Sequence, residues 1–181
     1  AEKYETITDA AGLQTWIDRI YARGYVAVDT ETTGLNEMRA DLVGVSLCVQ
    51  AGEAAYLPLT HRAGQSDDLF GTDALAEGQM DQDTALAMLK PLLEDSTILK
   101  IGQNMKYDAK ILARVGIQVA PIDDTMLMSY AQNGGLHNHG MDLLSERYLD
   151  HAPISIKTLL GSGKSAITFD RVPIDEASRY A

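Results

Sequence analysis

Leu13, Trp16, Ile17 and Ile20 recur at helical spacing after Thr8, and Gly24 stops the run. The period then shortens. YVAVDTE at 25–31 is a short apolar run that ends in acid, the pattern of a buried strand. LVGVSLCV at 42–49 and AAYLPL at 54–59 are two further strand candidates, separated by the turn residues of QAGE. Residues 61–82 are polar and glycine-rich and read as a surface loop. DTALAMLKPLLEDS at 83–96 predicts a helix that Pro91 kinks or divides. TILKIG at 97–102 predicts a short strand, and MKYDAKILARVG at 105–116 an amphipathic helix closed by Gly116. DTMLMSYA at 124–131 and MDLLSERYL at 141–149 predict two helices around a Gly/His/Asn loop. PIDEASRYA at 173–181 opens a last helix, with Pro173 near its first turn. Strands come first, then helices with strands among them, which predicts an α/β fold with a mixed sheet. No repeat or composition break divides residues 1–181, so one domain is expected. Its unfinished last helix suggests a fragment of a longer chain.

The composition fits that reading. Of 181 residues, 45% are apolar and 23% charged, enough for a substantial core. No apolar run approaches the ~20 residues of a membrane span, and AEKYETIT lacks a signal pattern. A single cysteine, Cys48, excludes an internal disulfide; it is expected to be a small buried hydrophobe. These features point to the cytoplasm. A net charge of −11 repels phosphates over much of the surface. An acidic chain can handle nucleic acid only if cations invert the field at a carboxylate site, or if a basic surface comes from elsewhere.

Two carboxylate constellations carry the candidate chemistry. Strand side chains alternate, so Asp29 and Glu31 project on one side, roughly 7 Å apart along the strand. They sit at its C-terminal end, where open α/β sheets place ligands. Two acids so placed repel, and a proton or a hard cation such as Mg²⁺ or Mn²⁺ must intervene. Taken alone, the pair is more simply two solvated acids in a turn. Asn104 and Asp108, four apart, share a helix face, and alone they are a polar helix start.

The series VDTETTGL, GQNMKYDAKIL, DDTMLMSYA, MDLLSERYL and AITFDRVPIDEASRYA changes the balance. In this order the blocks resemble the 3′→5′ proofreading exonuclease domain of bacterial family A DNA polymerases, in the tyrosine branch of the Asp-Glu-Asp-Asp exonucleases. The resemblance runs from about Tyr4 to the end. It implies a ribonuclease H-like fold, with a central mixed sheet flanked by helices. It also implies two divalent ions (Mg²⁺ or Mn²⁺) and hydrolysis of the 3′-terminal phosphodiester of single-stranded DNA, releasing deoxynucleoside monophosphates. By motif match, Asp29, Glu31 and Asp108 would be catalytic metal ligands and Tyr180 would orient the attacking water. Leu35 would wedge between the last two bases, and Thr32 and Asn104 would contact substrate. The three carboxylates are accordingly expected to converge within metal-bridging distance at one end of the sheet. Like charges should raise at least one of their pKa values, and Tyr180 should act by hydrogen bonding at its usual pKa.

The family motif continues from its tyrosine through three residues to a fourth acid. The chain stops at Ala181, so the resemblance implies a truncated C-terminal helix and weak activity for these residues alone. The implied partners are a DNA 3′ end and a polymerase domain of the same full-length chain, in the cytoplasm at the nucleoid. The alternatives are a ribonuclease D-like exoribonuclease and a polymerase scaffold domain that has lost catalysis.

Other motifs are set aside. GSGKS at 161–165 lacks the first glycine of a phosphate loop, since Thr158 stands there, and no buried strand precedes it. It reads as a loop, with Lys164 as a phosphate contact at most. His137 and His139 lack a Cys/His framework and read as loop residues. Asp124 of the pair Asp123–Asp124 reads as a helix N-cap, the run 126–128 as core packing, and Asp67–Asp68 as a solvated pair.

Overall fold

The computed structural model describes residues 3–63 and 74–181, so the Asp67–Asp68 pair lies outside the described residues. Strand β1 (Lys3–Thr6) leads to α1 (Ala10–Arg23), which the Asp9 carboxylate caps at Gly12 N and Gly24 ends in a left-handed turn at φ 82°. Three strands follow, β2 (Tyr25–Thr32), β3 (Leu42–Gln50) and β4 (Glu53–Pro58), and then α2 (Gln82–Glu94). Pro91 does not divide α2, which continues through it to Glu94. The proline stands one turn from the end, where only one backbone bond is lost. Next come β5 (Leu99–Gly102), α3 (Met105–Arg114), β6 (Ile122–Asp124), α4 (Thr125–Asn133), α5 (Met141–Leu149), α6 (Ile156–Leu160) and α7 (Ile174–Tyr180).

The sheet order is β1-β4-β3-β2-β5-β6. Strands β2, β3 and β4 form an antiparallel meander, while β1, β5 and β6 pair in parallel, giving the expected mixed sheet. Alternation along the strands divides the interior. Val26, Val28, Val45, Leu47, Ala55 and Leu57 meet the apolar sides of α1, α2 and α3 in the main core. Tyr56 and Val43 point the other way, into a second cluster with Phe169, Val172 and Ala177. Fully burying one Leu or Ile side chain is worth about 1.5–3 kcal/mol, so the main core dominates stability. A hydroxyl pair, Thr6 Oγ1 and Ser178 Oγ at 2.7 Å, ties α7 to β1.

Buried Lys100 on β5 runs beside this core and ends on the carbonyls of Asp95, Ile98 and Ala120 at 2.8, 2.7 and 2.5 Å. Its ammonium thus binds the turn before β5 to the turn before β6.

Two packing expectations fail. Leu127 and Met128 are exposed, and Ser129 is the buried residue of α4, so the run 126–128 is not core. The α4 helix follows the edge strand β6 and faces α5 across an open groove lined by Met128, Ser129, Leu144 and Tyr148, which leaves Met128 exposed. Cys48 is only partly buried, because it faces the sheet side that α1–α3 do not cover; its thiol donates to the Gln50 carbonyl. GSGKS forms a short 3₁₀ turn at Gly163–Ser165, with Gly161 and Gly163 at positive φ.

Candidate active site

The sheet delivers the acids. Strand β2 ends in a register shift between Glu31 and Thr32, where Glu31 pairs with Gly44 and Thr32 with Leu42. Beyond it the chain swings into the Leu35 loop. A cavity of about 580 Å³ opens there, lined by Asp29, Glu31, Thr32, Leu35, Asn104, Asp108 and Tyr180 among others. The structure therefore brings all seven predicted residues to one cavity. Leu35 is 95% exposed on its rim, an apolar side chain held out in solvent.

Helix α3 supplies Asp108. Its Oδ1 accepts from Thr30 N at 3.0 Å and Thr30 Oγ1 at 2.6 Å, which fixes the carboxylate against the end of β2. Asn104 is the N-cap of α3 in the left-handed conformation, φ 58°, and its side chain does not cap the helix. That service comes from Asp124. Its Oδ2 accepts from Met105 N at 2.8 Å and its Oδ1 from Asn104 N at 3.1 Å. Oδ1 also accepts from Met126 N at 2.9 Å and Leu127 N at 3.3 Å. Asp124 is thus the N-cap of α4 that its sequence position suggests, and it closes α3 as well.

Burial is the first cause of the site's electrostatics. It pushes Asp29 up to about 7; the Asp108 charge adds to this, and the Thr30 N–H works against it. Glu31 rises to about 8, through burial first and then the charges of Asp29 and Asp108. Asp108 is also raised by burial, with the two Thr30 bonds opposing. The expected direction holds, but desolvation outweighs the like-charge repulsion invoked for it. Tyr180 does not keep its usual pKa. Burial, then Glu31 and Asp29, push its hydroxyl up to about 12, so it stays a hydrogen-bond donor well above neutral pH.

These hard oxygen donors, reluctant to ionise together, are the kind of set a divalent cation relieves. The acids do not converge as closely as expected. Among the described residues no three His, Cys, Asp or Glu side chains stand close enough to close a metal shell. Asp108 commits one oxygen to Thr30. The fit is therefore one of donor chemistry.

Several contributors escaped the sequence. The Tyr107 hydroxyl lies 2.5 Å from both Gly34 O and Thr32 Oγ1, tying α3 to the Leu35 loop. Its place beside Asp108 was the available signal. Ile156, Leu160 and Phe169 line the far wall, from a segment with no clear period. His139, read as a loop residue, stands in the loop before α5 outside this cavity, its Nδ1 2.9 Å from Ser129 Oγ.

A family model described as 3′-5′ exonuclease matches residues 4–181. The chain belongs to that 3′-5′ exonuclease family. This exonuclease is 48% identical over 187 residues to DNA polymerase I of Rhizobium leguminosarum, an alignment covering 98% of the chain and 18% of that protein. The chain spans about a fifth of the length of the curated relatives it matches. Among solved structures, Brucella melitensis NrnC with bound Mg²⁺ is similar at 27% identity and TM-score 0.61, over 90% of this chain and 66% of that one. Escherichia coli RNase D, an exoribonuclease, shares the fold at 19% identity and TM-score 0.63, over 86% of this chain and 36% of that one. The exonuclease thus has the ribonuclease H-like fold.

Proposed function

We propose that this exonuclease is a proofreading domain that removes nucleotides one at a time from the 3′ end of single-stranded DNA, as part of a longer DNA polymerase I chain. One observation carries the reading: Asp29, Glu31, Asp108 and Tyr180 line the same cavity as the exposed Leu35. The likeness to polymerases of that name supports DNA as substrate, and the Mg²⁺ bound to NrnC supports a divalent ion.

Asp29, Glu31 and Asp108 would hold two cations, Mg²⁺ or Mn²⁺. Bound there, such ions supply activation of water near neutral pH and relief of charge on the leaving 3′ oxygen. The protein groups do the rest. Tyr180, protonated throughout the working range, donates a hydrogen bond that orients the attacking water. Leu35 wedges against the terminal base, and Thr32 and Asn104 contact the backbone. A polymerase domain would supply the basic surface that a chain of charge −11 lacks.

The test is a 5′-labelled single strand, as DNA and as RNA of the same sequence, digested with Mg²⁺ by the protein expressed from its full reading frame. A ladder shortening from the 3′ end of DNA, lost in Asp29→Asn, is expected. Preference for RNA would transfer the domain to the ribonuclease D-like reading. No cleavage of either strand would leave the scaffold reading.

A further inference from the structure

His61 is 1% exposed, and both of its ring nitrogens are engaged. Nδ1 lies 2.8 Å from the Val172 carbonyl oxygen and Nε2 2.7 Å from the Tyr56 hydroxyl. A carbonyl can only accept, so Nδ1 carries the proton, and the neutral ring accepts from Tyr56 at Nε2. Burial lowers the pKa of His61, which keeps the ring neutral. The backbone is pinned as well. His61 N–H donates to Gln79 Oε1 at 2.9 Å, and Arg62 N–H donates to the Asp170 carbonyl at 2.8 Å.

Two of these bonds, to the carbonyls of Val172 and Asp170, end on the segment that presents Tyr180. Val172 directly precedes Pro173, the N-cap of α7. The rings form a second path. Tyr56 and His61 meet edge-on at 5.8 Å, His61 and Phe169 lie 6.0 Å apart, and Phe169 and Tyr180 5.9 Å apart. At the sheet end the Tyr56 ring lies across Gly44, the residue paired with Glu31. A side chain of any size at 44 would collide with it. The acid-bearing strand and the tyrosine-bearing helix are therefore linked through one imidazole. The Thr6–Ser178 hydroxyl pair ties the middle of the helix to β1, while the two ring bonds of His61, one to Tyr56 and one to Val172, fix the height at which the helix begins.

We propose that His61 is a positioning residue for Tyr180, setting the depth at which the tyrosine hydroxyl enters the acid cavity. The proposal rests on the reading of Tyr180 given above.

A double-mutant cycle tests it in the protein expressed from its full reading frame, with Mg²⁺ and a single-stranded DNA 3′ end. His61→Phe keeps a ring and loses both bonds. It is expected to lower kcat roughly tenfold or more, the scale of a lost supporting partner, with KM changed less than about twofold. In a Tyr180→Phe background the same change should cost less than about twofold, because the hydroxyl it positions is gone. His61→Asn, which retains a donor near the Nδ1 position, should recover most of the kcat lost in His61→Phe. Equal losses in both backgrounds would overturn the proposal, and so would an unaffected kcat in His61→Phe. A His61→Asn enzyme as slow as His61→Phe would overturn it too; if the Phe variant fails to fold, His61→Gln, which keeps a partner for Tyr56 and loses the Val172 bond, takes its place in the cycle with the same expected outcomes. If Tyr180→Phe alone leaves kcat unchanged, the reading of Tyr180 fails first and the proposal falls with it.

Discussion

On one face of the sheet, Leu13, Ile20, Val26, Leu47, Leu57 and Leu89 are fully covered by one another and by α1–α3. On the other, Glu31 is almost as deeply placed and Asp29 is partly covered, but with pKa values of about 8 and 7, and Ser46 Oγ between the strands is buried with no hydrogen-bond partner among the described residues. The strands are shared, so the difference comes only from which residues alternate to which side. The covered face stabilises the fold. The acid face draws on that stability, because buried acids and an unpaired hydroxyl both cost free energy. A domain can keep a costly site when the opposite side of the same strands is packed well enough to hold them still.

Four measurements can break or sharpen this contrast. The largest effect is expected on the covered face. Leu89→Ala should lower unfolding free energy by about 2–5 kcal/mol, while kcat per folded molecule stays within about twofold. Denaturant titration beside single-turnover digestion checks both, and a large loss of kcat per folded molecule would mean that the faces are not separable. On the acid face the pattern inverts. Asp108→Asn keeps an oxygen for the two Thr30 bonds but loses the charge. Activity should fall about 100-fold or more, while the melting temperature above pH 7 holds or rises. A marked drop in melting temperature would make Asp108 structural.

The third effect concerns pH without added metal. Raised carboxylate pKa values mean that the folded chain binds more protons than the unfolded chain. Their stabilising contribution is complete below roughly pH 4 and is lost as pH rises through about 7 to 8. With coupling and residual solvation discounted, the loss is on the order of 1–2 kcal/mol. Melting temperatures from pH 5 to 8.5 should fall, less steeply in Glu31→Gln; a rise would reverse the assigned direction. The smallest effect is at the rim. Leu35→Ala removes an apolar contact to a base, worth about 1 kcal/mol, so KM should rise roughly fivefold with stability unchanged. An unaltered KM would remove Leu35 from the substrate path.

Much of the covered face was legible because it is periodic. The four apolar positions of α1, the run in β2 and the amphipathic α3 each obey a local rule, as does the pairing of Asp29 with Glu31. Strand β1 follows no such rule. Lys3–Thr6 is exposed along its whole length, so no burial is written into KYET, and pairing with β4 recruits it to the sheet. The three residues of β6 are too few for any period. His61, and the closing of α3 by the foreseen α4 cap Asp124, were missed for another reason. Each bonds to residues far away in the chain, His61 to Val172 and Asp124 to Asn104, and long-range pairing leaves no spacing to read. The run 126–128 misled because apolar residues at helical spacing predict a face without saying whether anything lies over it.

The first amides of a helix have no partner within it and ordinarily trade deuterium with solvent early. Asp124 removes that weakness from two helices with one side chain, since its oxygens receive amides from Asn104, Met105, Met126 and Leu127. The four protons then share one fate. Fraying at the start of α4 loosens the carboxylate that also closes α3, so exchange at 126 and 127 carries exchange at 104 and 105 with it. The isotope clock of α3, and with it the steadiness of Asp108, is set from a strand edge about twenty residues further along the chain.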